Sequence, residues 1–352
     1  MFIMHRLQCF YSMSEIVKFV ILSTRNVVIH MLVDRNQYRY LAVGCLVLLG
    51  LASLFVGALD MSLLQLLAGN TNAWHTLMYS RLPRVIAVIL TGISLSIAGL
   101  IMQKLSQNRF VSPSTAVTMD GARLGILVAF IVLSNQSLWS ISIFALLFAA
   151  VSTVLFMTAV SKLKIKNIVF VPLLGIMIGM IIDSITTFLA LKFDLLQVLS
   201  GYMTGSLTPI LQGKYELLFI SIPLIIIAVH YVHRFSIVAM GEDFAHNIGM
   251  NYKRVMLLGI LIVATLSASV IVTIGSIPFV GLIVPNVIAY RFGDGHQDML
   301  LDTALLGANL LLVCDLIARL VIYPYEVPVS LVLGIIGSAY FLFILLRGNY
   351  ET

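Results

Sequence analysis

The stretch RVMLLGILIVATLSASVIVTIGSIPFVGLIVPNVIAYR, residues 254–291, has no charged side chain between its terminal arginines. Drawn as one helix at about 1.5 Å per residue, its inner residues would run about 54 Å against a hydrocarbon core of about 30 Å. The chain must therefore cross, turn and cross again. Gly275–Ser276–Ile277–Pro278 is the place to turn, because proline cannot continue the helix and glycine accepts the bend.

The rest of the sequence repeats the theme. Of its 352 residues, 60% are hydrophobic and only 10% charged, where a soluble domain carries about 25% charged residues. Whole runs of about 20 residues lack charge, which is the pattern of membrane helices and not of a transmembrane barrel, whose strands alternate apolar and polar residues. The expected fold is an all-α integral membrane protein of about ten spans, near residues 38–58, 82–105, 113–134, 138–160, 168–191, 214–232, 254–275, 278–292, 302–321 and 329–347. Cys9, Cys45 and Cys314 are scattered and give neither a disulfide framework nor a metal site.

Residues 1–37 stand apart as a cytoplasmic N-terminal segment, too interrupted to span. They are either an interfacial helix or an upstream extension with the working start at Met13 or Met31. Residues 38–347 form the transmembrane domain and 348–352 a cytoplasmic tail. An even number of spans puts both termini on one side. That side collects Arg35, Arg39, Lys104, Arg109, Lys162, Lys164, Lys166, Arg234, Lys253, Arg254, Arg291 and Arg347, whereas the other holds only Arg81, Arg84, Lys192, Lys214 and Arg319. The basic excess marks the cytoplasm.

No phosphate-binding loop of the G-x-x-x-x-G-K-[ST] type, no H-E-x-x-H, no G-x-S-x-G and no Cys/His cluster is present. Ten spans without a catalytic motif favour transport over enzymatic chemistry. Charges within spans need partners, since one at the bilayer centre costs about 2.5–3.5 kcal/mol. Asp120 and Arg123 lie three apart and Asp315 and Arg319 four apart, so each pair shares a helix face. Asp183 has no partner nearby in sequence; facing Arg123 or another helix, lining a water-filled path, and carrying protons all stay open. The small residues of GISLSIAG (92–99) and of GIMIG (175–179) allow close helix approach, within the chain or between copies. On the inner side, Gly241 to Gly249 has acids in its first turn and a closing glycine. This is a short helix, serving as a solvated connector or as a docking element.

Taken in order, several segments resemble the permease subunit of bacterial ABC importers for ferric siderophores, haem and cobalamin. They are RLPR (81–84) with Gly92, Gly99, Met102 and Gln103; Asn108 and Pro113; Gly121, Ala122 and Gly125; YMTGSL (202–207); the G-E-x-x-A-x-x-I-G loop (241–249); GSIPFVGLIVP (275–285); LLGANLLLVCDLIAR (305–319); and EVP (326–328). The resemblance covers Tyr79 to Arg347. It implies a bacterial inner-membrane, multi-pass permease of ten helices and a second permease subunit, identical or different. It also implies a cytoplasmic ATPase dimer that alone carries ATP and magnesium, and a periplasmic or lipid-anchored substrate-binding protein. This chain would bind no cofactor, metal or nucleic acid.

The resemblance further implies roles for particular residues. Arg81, Arg84 and Arg319 would meet glutamates of the binding protein. Gly241, Glu242, Ala245, Ile248 and Gly249 would form the coupling helix on the ATPase. Asn108 and Phe110 would lie in a cytoplasmic gate. The sequence departs from the family at Asn286, where histidine is common, and at Tyr290, where arginine is; Tyr202 replaces a tryptophan and Ala339 a proline. The combination is closest to the siderophore branch, with cobalamin or haem as the alternative cargo. A secondary transporter is a further alternative; it would show inverted repeats and charged midplane sites, and no convincing repeat is visible.

Overall fold

A computed structural model describes residues 34–57, 70–133, 137–163, 170–294 and 298–346. Most of the N-terminal segment, the tail, Lys164, Lys166 and Arg347 lie outside these residues. Of the described residues, those from 42 onward belong to one compact unit and 34–41 to another. The described chain is helical, with a single isolated backbone bridge between Ile322 and Tyr325.

The helices are α1 (Arg35–Phe55), α2 (Thr71–Leu105), α3 (Thr118–Val132), α4 (Leu138–Leu163), α5 (Phe170–Lys192), α6 (Leu196–Met203), α7 (Ser221–Val238), α8 (Glu242–Asn247), α9 (Tyr252–Thr273), α10 (Val280–Phe292), α11 (Met299–Leu320) and α12 (Val329–Leu346). A 3₁₀ turn, Glu216–Ile220, leads into α7. Among the described residues seven helices are long and apolar enough to cross a membrane, and α10 and most of α12 are shorter apolar helices. Every expected span has a helix. α6 and α8 are short additions on opposite sides.

Two expected boundaries move, each for a local reason. Span two begins at Thr71, eleven residues before the expected start, and passes through a π-helical turn at Leu77–Arg81. Pro83 has no N–H to give the Tyr79 carbonyl, and the backbone N–H of Gln212 takes that carbonyl instead, at 3.0 Å. Span three loses its first turn. Thr115 Oγ1 accepts from the Ser112 N–H at 2.9 Å, and Val117 is left-handed at φ 66°, so α3 starts only at Thr118.

α2, α9 and α11 are buried along most of their length, whereas α1, α5 and α7 turn most of their surface outward. Glycine sets the spacing at the centre. A Cβ on Gly99 would lie 1.9 Å from the Gly281 carbonyl oxygen, and one on Gly92 would lie 2.4 Å from that of Gly307. α2 therefore packs backbone to backbone on α10 and α11. Pro285 cannot bond the Gly281 carbonyl within α10, which leaves that oxygen to face α2. On α5 a Cβ at Gly175 would stand 1.9 Å from the Thr115 carbonyl, so this glycine serves packing within the chain.

The expected turn at GSIP is present between α9 and α10, and it meets the YMTGSL segment. Ser206 N–H donates to Ile274 O at 3.0 Å, Ser276 N–H to Tyr202 O at 3.1 Å, and Ser330 N–H to Gly205 O at 3.1 Å. Gly275 is left-handed at φ 100°, and a Cβ there would meet the Thr204 carbonyl at 2.6 Å. The GSIP turn and the segment from the end of α6 to Ser206 thus satisfy each other's backbone. Gly99→Ala should force α2 off α10 and lower stability by about 1–3 kcal/mol. Gly44→Ala, with nothing within 4 Å, should raise it slightly through helix propensity. Thermal unfolding of the two detergent-purified variants measures the difference.

Candidate functional site

At the outer end, α2 brings Arg84 between two carboxylates. Its Nη2 lies 2.8 Å from Asp315 Oδ1 on α11, and its Nη1 lies 2.8 Å from both oxygens of Glu326 in the loop beyond. Asp315, fully buried, also bonds Arg319 one turn on, as the four-residue spacing predicts. Arg319 Nη1 then donates to the carbonyls of Ser53 and Val56 at 3.0 and 2.9 Å. Arg81 Nη1 reaches the same Val56 carbonyl. These carbonyls end α1, where a cation suits the helix dipole. Three guanidiniums and two carboxylates are thus gathered from two helices and a loop, against the carbonyls that end α1.

Arg81 and Arg319 are only 7% and 2% exposed, and the acids nearest the group are the chain's own. The desolvation of so much charge is offset because Asp315 is shared and both terminal nitrogens of Arg319 reach acceptors, which leaves only its Nε buried without a partner among the described residues. Glu326 belongs to the EVP segment (326–328), and nothing local in the sequence links it to Arg84. The signal available was charge arithmetic, since the outer loops hold few acids to balance these arginines. Burial works to raise the Glu326 carboxyl. The charge and hydrogen bonds of Arg84, with the Thr208 hydroxyl at 2.7 Å and the charge of Arg319, outweigh it and hold the group below the ordinary carboxylate range.

At the inner end, the loop after α2 is latched to α10. Gln103 Nε2 and Asn286 Nδ2 both donate to the Arg109 carbonyl at 2.9 Å. Arg109 pairs with Asp294, whose carbonyl accepts from Lys104 Nζ at 2.9 Å. Asn286, the departure from the family's histidine, is therefore a latch residue. Asn108 is buried and its Oδ1 accepts the Phe110 N–H at 2.9 Å; Phe110 stands edge-on to Phe341 of α12, ring centroids 5.9 Å apart.

The short inner helix, α8, follows Gly241 at φ 107°. Met250 N–H bonds the Ala245 carbonyl and Gly249 N–H that of His246, both at 2.9 Å, and Gly249 is left-handed at φ 76°. This pair of bonds closes the helix in a Schellman cap, as the closing glycine predicts. Ala245 is buried, whereas Met240, Phe244 and Ile248 are exposed and form an apolar knob above the bundle. Behind it a cavity of about 590 Å³ opens, with Gln107, Asn108, Glu242, Tyr252 and Lys253 among its lining.

In mid-bundle, Arg123 lies 3.5 Å from Asp120 and 3.7 Å from Asp183, and its Nη2 donates to Ser276 Oγ at 2.9 Å. Of the alternatives for Asp183, proximity to Arg123 is therefore observed.

Residues 45–347 match the model of the FecCD transport family. The chain belongs to the FecCD transport family. It is 45% identical over 311 residues to the petrobactin import system permease protein YclN of Bacillus subtilis, covering 88% of this chain and 98% of that protein. It is 38% identical over 296 residues to the ferric-anguibactin transport system permease protein FatD of Vibrio anguillarum, covering 84% and 94%. A solved metal-chelate-type ABC transporter in an inward-facing conformation shares the fold, with a TM-score of 0.74, 22% identity, and coverage of 88% and 98%. As a FecCD protein the chain is a multi-pass permease of the cytoplasmic membrane.

Removing one shared carboxylate from the outer network should be severe. Asp315→Asn should cost about 3–5 kcal/mol, because two guanidiniums lose their common partner. Glu326→Gln should cost less, since the side chain keeps some contact with water. Its folded-state carboxyl titrates below its unfolded value of about 4.3, so its stabilisation is full above that value and fades as pH falls through the folded one. Thermal stability should therefore drop on acidification below about pH 4.3, and less steeply in Glu326→Gln.

Proposed function

We propose that this chain is the permease subunit of an ATP-driven importer that carries a ferric siderophore into the cytoplasm. The observation that carries the reading is the 45% identity sustained over 98% of a petrobactin import permease; the 38% identity to a ferric-anguibactin permease supports the same cargo class. ATP and magnesium belong to a separate ATPase dimer, and a second permease subunit completes the path. α8 seats in a cleft of the ATPase, with Glu242, Ile248 and the two bounding glycines, Gly241 and Gly249, presenting the knob and Ala245 anchoring it. Movement of the cleft moves α8 and switches access, while Asn108 and Phe110 close the cytoplasmic mouth. The apolar tips of Met240, Phe244 and Ile248 support this role, since a solvated connector gains nothing from exposing them.

The binding protein docks over Arg81, Arg84 and Arg319. Because Glu326 holds Arg84, docking is an exchange in which a partner carboxylate takes over a bidentate bond that the permease makes to itself at rest.

Uptake of iron from a panel of siderophores, in cells deleted for this gene, tests the reading. One ferric siderophore should fail to enter and the wild-type gene should restore it. Ile248→Asp should abolish uptake while leaving binding-protein docking intact. Arg84→Glu should weaken docking at least tenfold, and Glu326→Gln should tighten it. If haem or cobalamin uptake fails instead, the cargo assignment falls and the importer reading stands.

A further inference from the structure

Asp183 sits about 20 Å from the inner end of α5 and about 14 Å from its outer end, near mid-bilayer. Its side chain is 42% exposed, on a helix that turns most of its surface away from the bundle. An ionised carboxylate accepts about four hydrogen bonds. Among the described residues no donor reaches this one; Arg123 approaches to 3.7 Å, beyond hydrogen-bond range, and is already engaged by Asp120 and Ser276. Arg123 also balances only one of the two acids beside it, which leaves the cluster with a surplus negative charge. Such a group cannot face acyl chains, where it would find neither donors nor counter-charge. The next residue, Ser184, is likewise exposed, with its hydroxyl bonded back to the Met180 carbonyl at 2.7 Å. The open face of α5 at this depth is therefore wet.

We propose that α5 presents Asp183 to the water-filled transport path, where its carboxylate selects cationic over anionic groups on the cargo. The inference rests on the importer reading for the existence of a path, but not on which chelate passes through it. Arg123 is its positioning residue: it stands 3.7 Å from the acid and ties it to the GSIP turn through Ser276.

Thiol labelling of the assembled importer in native membranes tests this. In a chain freed of Cys9, Cys45 and Cys314, Ser184→Cys is reacted with a cationic trimethylammonium methanethiosulfonate and with its anionic sulfonate analogue. Ile143→Cys on α4, exposed on the apolar outer surface, gives the lipid-facing reference. Ser184→Cys should react with both charged reagents, the cationic one faster, while the reference takes up only a membrane-permeant maleimide. Adding Asp183→Asn should reduce the cationic reagent's advantage by roughly 25-fold, since one unit charge a few ångströms away in water changes each reagent's rate about fivefold and in opposite directions. In transport, the same substitution should lower uptake of a cationic ferric siderophore relative to an anionic one. If Ser184→Cys behaves like the reference, α5 faces lipid here and the inference is overturned. If both reagents react and Asp183→Asn leaves their ratio unchanged, the carboxylate has no selective role and the inference is equally overturned. The labelling pattern without any siderophore uptake would sustain the wet acidic face and remove the cargo reading alone.

Discussion

A chain that crosses hydrocarbon must pair its polar groups within the protein, and this one leaves helical geometry inside its own packed bundle. Residues 202–206 and 274–276 supply each other's hydrogen bonds, with Ser330 of α12 adding a third tie through Gly205. Gly205 and Gly275 are what make the meeting possible, because a Cβ at either position would strike the opposite backbone at 2.5–2.6 Å. From that junction follow the turn between α9 and α10, the start of α12 and the position of Ser276, which in turn holds Arg123. The mid-bundle ion cluster is thus organised by a backbone contact and not by charge alone.

The outer network obeys the same accounting with charges in place of amides. Asp315 is buried completely, and a lone carboxylate there would be prohibitive. Two guanidiniums on it are tolerable because most of their remaining donors also find acceptors, and the last carbonyls of α1 and the carboxylate of Glu326 provide them. Four separate chain segments are therefore held by one connected set of bonds, so the group behaves as a unit.

Much of this was legible in the sequence, and what was not has a common cause. The charge-free run 254–291 demanded a turn, and glycine with proline placed it correctly. The four-residue spacing of Asp315 and Arg319 gave their pairing, and the closing glycine gave the cap of α8. Arg84 and Glu326, however, lie 242 positions apart, and nothing local links them. The start of α2 was hidden for a related reason. Pro83 reads as a helix beginning, and only a distant residue, Gln212, makes a longer helix acceptable by taking the Tyr79 carbonyl. Short-range rules place elements and caps; bonds closed by tertiary approach stay invisible to them.

α2 links the features at both ends. It is a rod of about 50 Å that carries Arg81 and Arg84 at one end and Gln103 and Lys104 at the other. Between them Gly92 and Gly99 bring its backbone against those of α11 and α10. Side chains can change rotamer to absorb a small displacement, but touching backbones cannot. A shift imposed on Arg84 must therefore either break the glycine contacts or move α10 and α11 with α2. Because Gln103 and Asn286 hold the same Arg109 carbonyl from α2 and α10, the second course carries the inner loop along as part of one body. The fold thus joins the outer network to the inner loop through packed backbone, with no chain of side-chain contacts needed between them.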